Sequence, residues 1–166
     1  MRHARAEEAG RGLRDADRSL TPGARRKMRS IAVAIAGLGP DFDAILTSPL
    51  LRARQTAESV ARALGSRDRV IETEALSPGA DSGEVLREIA KRQLRRPLLV
   101  GHMPHLGTLL GFLLTGRSDV EVQIKKAAIA RVELKGDPSE APGTLTLLLT
   151  AKALAGRGRR ASASGG

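Results

Sequence analysis

Two short apolar runs end in the same way, and that ending constrains the fold of the chain. Residues 42–47 close on Thr47-Ser48-Pro49, and residues 97–101 on Gly101-His102-Met103-Pro104. Proline has no place in a central strand but suits the first turn of a helix. Each run therefore reads as a strand that hands over at once to a helix. After Ser48-Pro49, the residues Ala53, Ala57, Val60, Ala61 and Leu64 share one helical face as far as Gly65. After Pro104, the same holds for Leu106, Leu109, Leu110, Leu113 and Leu114.

The remaining segments fit that grammar. Residues 7–17 are polar, without period, and read as a surface loop; Gly10-Arg11-Gly12 lacks the strand before it that a nucleotide fingerprint needs. Thr21-Pro22-Gly23 opens a helix whose stripe is Ala24, Met28, Ile31, Ile35 and Leu38, stopped by Gly37 and Gly39-Pro40. Val70-Ile71 is a weak strand. Asp81 or Ser82 caps a third helix bearing Val85, Leu86, Ile89 and Ala90, with Asp81 and Glu84 at capping-box spacing. Residues 127–134 and 144–150 are strands flanking a turn-rich segment, as in a long-looped hairpin. Strands alternating with helices predict an α/β domain, a mostly parallel sheet with helices on both faces.

In such sheets ligands bind beyond the carboxyl ends of the strands, where helix N-termini offer free N–H groups to anions. Ser48 and His102 both fall there, and Arg52 lies one turn into its helix. The charge agrees with an anionic ligand: 28 basic against 18 acidic residues give a net +10. With two Phe and no Tyr or Trp, no base-stacking surface is expected, and nucleic acid is not an expected partner. The absence of cysteine excludes disulfides, thiolate metal sites and a Cys nucleophile. No apolar run reaches membrane-spanning length and no signal-peptide core opens the chain, so a cytoplasmic protein without membrane contact is expected.

Three stretches together resemble the histidine phosphatase superfamily, and within it the small SixA-type phosphohistidine phosphatases. They are Arg2-His3-Ala4, Ser48-Pro49-Leu50-Leu51-Arg52-Ala53-Arg54-Gln55-Thr56-Ala57-Glu58, and Gly101-His102-Met103-Pro104. Secondary matches are Asp15 with Arg18-Ser19-Leu20-Thr21-Pro22-Gly23, Leu76-Ser77-Pro78-Gly79-Ala80-Asp81, and residues 126–134 beginning Lys126-Ala127-Ala128-Ile129. Ser19 stands where the family pattern has Pro, and one residue fewer precedes Gly23. The likeness covers most of residues 1–150. It implies a phosphoglycerate mutase-like three-layer sandwich, here with its first strand missing, because only Met1 precedes the Arg-His pair.

The resemblance also implies a reaction. His3 would be the nucleophile that forms a phosphohistidine intermediate. Arg2 and Arg52 would hold phosphoryl oxygens with their planar forks, and His102 would help bind the same group. Ser48 reads first as a helix cap and second as a phosphate contact. No metal or other cofactor is called for. Glu74, Asp81 and Glu84 lie where larger relatives carry a proton-donating acid, but Asp81 and Glu84 are explained by capping, and SixA-like proteins lack that acid. The expected activity is thus a hydrolase acting on a phosphohistidine-containing protein, and a monomer is expected. The alternatives are a broad small-molecule phosphomonoesterase of the same superfamily and a non-catalytic basic protein that binds phosphate or nucleic acid. His105 is assigned to the helix or to solvent, and Arg54 to the face away from Arg52.

Two expectations concern the ends. Residues 1–152 form the phosphatase domain, and residues 153–166, rich in Gly, Arg, Ala and Ser, form a disordered basic tail; deleting residues 155–166 should leave turnover and stability nearly intact. At the other end His3 is expected to hang from a two-residue terminus, with Met1 an internal methionine of a longer natural protein or, as the competing reading, a genuine start in a weakened or inactive relative.

Overall fold

The computed structural model describes residues 1–10 and 12–163, without the side chains of 158–163. Arg11 of the Gly10-Arg11-Gly12 stretch and residues 164–166 of the expected tail lie outside the described residues.

The first expected strand–helix unit is β1 (Ala44–Thr47) followed by α2 (Leu51–Leu64), and the second is β3 (Pro97–Val100) followed by α4 (His105–Thr115). With β2 (Val70–Glu72) these strands form a parallel sheet in the order β2-β1-β3. The hairpin is also formed: β4 (Ile129–Glu133) pairs antiparallel with β5 (Thr144–Leu149). The helices α1 (Pro22–Ala36), α3 (Ser82–Lys91) and α5 (Ala151–Ala163) complete the element order.

Local chemistry sets the helix starts where it can act alone. The Thr21 hydroxyl accepts from Ala24 N at 3.1 Å, with Pro22 at the first helical position. The Asp81 carboxylate accepts from Gly83 N at 2.7 Å to cap α3. β1 is buried on both faces and divides the core in two. Ile45 joins Leu98 and Val100 under α1 and α2, where Met28, Ile31, Ile35, Ala53, Ala57 and Val60 pack. Ala44 and Leu46 face Val85 of α3 and Leu106, Leu109 and Leu110 of α4. Each such large aliphatic side chain contributes about 1.5–3 kcal/mol on burial. This is the expected three-layer arrangement.

Three expectations are corrected. First, His3 does not hang free. Residues 1–3 lie between β3 and the segment leading into β4: Gly101 N donates to Met1 O at 3.2 Å and His3 N to Gly101 O at 3.0 Å, while Arg2 N donates to Ala128 O at 3.2 Å and Ala127 N to Arg2 O at 3.1 Å. A rudimentary strand, with a parallel bridge between Arg2 and Gly101, joins the two sheets. Met1 and Ala4 are both buried in the core cluster that holds Ile45, Leu98 and Val100. Second, the tail is not disordered where it is described. α5 runs from Ala151 to Ala163, packs along α1, and buries Leu154 and Ala155 completely enough to make them core. Third, Ser48 does not cap α2; Leu50 occupies the cap position without a side-chain bond.

Candidate active site

The site forms at the carboxyl rim of the sheet, where the first strand, β1 and β3 all end. His3, Arg52 and His102 are each less than a tenth exposed there. The rings of His3 and His102 face one another with centroids 4.9 Å apart and a tilt of 51°. His3 Nδ1 lies 2.6 Å from the carbonyl oxygen of Ala4. A carbonyl only accepts, so Nδ1 carries the proton, and the lone pair of the neutral ring is on Nε2. Burial pushes His3 down to about 4, against the pull of the Ala4 bond; the charges of Arg52, Arg2 and Lys126 push the same way as burial. At neutral pH this imidazole is uncharged, the form a nucleophile requires.

His102 is also held neutral, lowered to about 3 by burial first and then by His3 and Arg52. Its Nε2 lies 2.9 Å from the Ser48 hydroxyl, which accepts from Leu50 N at 3.3 Å and has its own proton to donate to Nε2, selecting the tautomer that leaves a proton on Nδ1. Ser48 thus holds the ring of His102 against the start of α2. The other ring nitrogen of His102, Nδ1, is buried and without a partner among the described residues.

The two arginines reach the rim differently. Arg2 is tethered by one donor, Nη1 to Ile124 O at 3.0 Å, and its buried Nε has no partner among the described residues. Arg52 gives Nη1 to Asp15 O at 2.7 Å and Nη2 to Asp15 Oδ2 at 2.9 Å. Asp15 also accepts from Arg18 Nη1 at 2.7 Å, and Arg18 first and Arg52 second hold its carboxyl below the usual range. It sits on a single 3₁₀ turn, Asp15–Asp17, inside the stretch expected to be loop.

Two residues outside the expected set thus belong to the site. Asp15 fixes Arg52. Thr56 couples the segment that carries His3 to α2, because its hydroxyl accepts from Ala4 N at 3.1 Å and donates to Arg52 O at 2.7 Å. Both stand in the motif segments, but pairings across 37 and 52 positions leave no periodic trace. Arg54 lies apart as expected, paired with Glu72 at 3.3 Å. Of the two places expected for His105, the helix is the one it takes: it opens α4, buried, and burial lowers it. Among the described residues no group of three or more His, Asp or Glu could hold a metal ion, and no helix is long and apolar enough to cross a membrane.

This geometry has counterparts. The structure of the protein histidine phosphatase SixA complexed with tungstate superposes with a TM-score of 0.78 and 27% identity, covering 93% of this chain and 96% of that one. A protein assigned as SixA from Agrobacterium tumefaciens gives 0.75 and 25%, over 90% of this chain and 94% of that one. An uncharacterised protein of Picosynechococcus sp. is 36% identical over 133 residues, which is 78% of this chain and 79% of that protein. Phosphatases acting on α-ribazole phosphate and phosphoserine share the fold at 18% identity, with TM-scores of 0.67 and 0.65. The family model for branch 1 of the histidine phosphatase superfamily matches residues 1–93, a span that takes in Arg2, His3, Asp15, Ser48, Arg52 and Thr56. With its paired histidines and flanking arginines at that rim, the chain belongs to the histidine phosphatase superfamily.

Proposed function

We propose that the protein is a phosphohistidine phosphatase that acts on a phosphoprotein through a phosphohistidine intermediate on His3. The observation that carries the reading is the hydrogen bond from His3 Nδ1 to Ala4 O, which leaves the Nε2 lone pair for phosphorus beside His102. Nε2 attacks, the bond from phosphorus to the substrate nitrogen breaks, and the substrate ring, protonated on its other nitrogen, leaves with the pair of electrons as neutral imidazole. Water then attacks the phosphoryl group, the bond from phosphorus to His3 Nε2 breaks, His3 recovers its lone pair with Nδ1 still protonated against Ala4 O, and inorganic phosphate departs. Arg2 and Arg52 share the charge on the three equatorial oxygens, and with Ser48 donating to Nε2 the Nδ1–H of His102 donates to one of them.

The substrate class is supported by the state of the acids near the rim among the described residues. A phosphate ester needs its leaving oxygen protonated by an acid, whereas the free ring nitrogen of a phosphohistidine takes up a proton from solvent near neutral pH, so that the ring leaves as neutral imidazole. Asp15, the carboxylate bound to Arg52, is kept ionised by its two arginines and is a poor proton donor. Glu74 is occupied by the Ser77 hydroxyl at 2.6 Å, and Asp81 caps α3. The likeness to SixA structures supports the same substrate class.

The test is brief exposure of the enzyme to a phosphohistidine carrier protein labelled on phosphorus. Wild-type enzyme should acquire an acid-labile, base-stable label that His3→Ala does not. Label persisting in His3→Ala overturns the mechanism. Faster turnover of small phosphate esters than of the carrier protein assigns the site to small molecules.

A further inference from the structure

The rim that holds His3 also gathers cations that the phosphoryl chemistry does not use. The segment before β4 runs antiparallel to residues 1–3, so its leading turn, Lys125-Lys126, lies at the His3 end. β5 runs antiparallel to β4 with Leu149 opposite Ile129, which brings Thr150 to the same rim. α5 begins there, with Lys152 in its first turn. Between these elements lies an open hollow of about 540 Å³, lined by Arg2, Lys125, Lys126, Thr150, Ala151 and Lys152. Arg2 is common to the hollow and the catalytic site, and its Nη1 is anchored on Ile124, the residue before the two lysines.

The charge here has no folding rationale. No carboxylate lines the hollow, and among the described residues none of the three lysines has an ion-pair partner. Lys152 sits at the positive end of a helix whose first turn has no acid, where a cation is unfavourable. Lys126 is lowered by partial burial and then by Arg2, Arg5, Arg18 and Arg52, every one of them a cation. Such a surface stores repulsion that an anion relieves.

The shape narrows the anion. The hollow is open, and three of its four cations are lysines, point charges on flexible stems rather than a rigid fork cut for one phosphate. No aromatic side chain lines it for a base to stack on. We infer that this hollow is a docking subsite for an acidic stretch of the protein substrate next to its phosphohistidine. This rests on the proposed phosphoprotein reaction and adds to it the sequence context of the substrate.

The test compares phosphohistidine peptides flanked either by glutamates or by glutamines. Three exposed charge pairs of ordinary strength multiply to about tenfold, so wild-type kcat/KM should favour the glutamate peptide by about that factor at low salt. Raising the salt should erode the preference. It should collapse in Lys125→Ser/Lys126→Ser/Lys152→Ser and survive in the matching triple Arg variant. Because the readout is a ratio within one enzyme, a general loss of activity does not mimic it, and the salt series stands if the serine variant fails to fold. A wild-type ratio near one, or a preference kept in the serine variant, overturns the inference while leaving the phosphohistidine reading intact. Stronger inhibition by single-stranded RNA than by the glutamate peptide overturns it in favour of nucleic acid. Turnover of neither peptide by an enzyme that still hydrolyses a small phosphate ester removes the phosphoprotein reading, and the subsite with it.

Discussion

Asp15 grips the guanidinium of Arg52 twice, by its carbonyl at 2.7 Å and by its carboxylate at 2.9 Å. The carbonyl bond survives any substitution of Asp15, and Arg52 itself is buried at the start of α2. The carboxylate is the part that competes: it takes a donor that a phosphoryl oxygen would use, and it places a negative charge beside one. Asp15→Asn should therefore tighten inhibition by inorganic phosphate about three- to fivefold, as expected for removing one like charge at a partly exposed site. Unchanged or weaker inhibition would mean that the carboxylate orients Arg52 rather than competing for it.

Arg52 and Arg54 stand two positions apart on α2 and separate by role. Arg52 is buried at the rim, and Arg54 pairs with Glu72 at 3.3 Å away from it. Removing one preorganised donor to a developing charge costs about 10²–10³ in kcat. Arg52→Ala should lose that much, and Arg54→Ala less than about threefold, the worth of an exposed ion pair. Similar losses in the two variants would displace the pocket.

The two histidines set a pH dependence with a definite sign. Burial lowers His3 to about 4 and His102 to about 3, whereas an unfolded chain takes up both protons near 6.5. Between those values the unfolded state binds more protons, so stability rises with pH across that interval. The contribution of the neutral rings is present above about pH 6.5 and is lost as the pH falls towards 4 and 3. Melting temperature should decline over that window, and less steeply in His3→Ala. The acid limb of kcat/KM should likewise fall near pH 4 rather than near 6.5. A limb at the ordinary imidazole value would place a different group in control.

What the sequence made legible is what neighbouring residues decide between themselves. Thr21 with Pro22, and Asp81 with Gly83, are caps written within a few positions, and both are formed. The strand-to-helix breaks at Pro49 and Pro104 put Arg52 and His102 at the sheet rim for the same reason, and the structure has both there. Ser48 was misjudged as a cap because its partner is His102, 54 residues away. The anchoring of His3 was equally hidden, since one residue of strand on each side gives no period, and its ladder partners are Gly101, Ala127 and Ala128. Asp15 and Thr56 act across the fold, and only the joined sheet reveals what they touch.

The expected tail failed for a different physical reason, and it supplies the last prediction. A single leucine among Ala, Gly and Arg gives a weak helical stripe, so residues after Lys152 read as disorder. α5 nevertheless buries Leu154 and Ala155 in the core that holds Met28, Ile31, Ile35 and Leu149. Leu154 is wholly inaccessible to solvent. Truncating a buried leucine to alanine costs about 2–5 kcal/mol, the lost transfer energy plus the cavity. In a domain of this size each kcal/mol moves the melting temperature by about 2–4 °C, so Leu154→Ala should melt roughly 4–20 °C lower. Deleting residues 155–166 should also lower it, because Ala155 and the helix that docks Leu154 go together. The catalytic side chains come from other elements, so the rate of folded Leu154→Ala well below its melting temperature should stay within about twofold of wild type, as for distant independent sites. A melting temperature unchanged by Leu154→Ala would show that α5 does not dock on α1 in solution, and the first reading of the tail would stand.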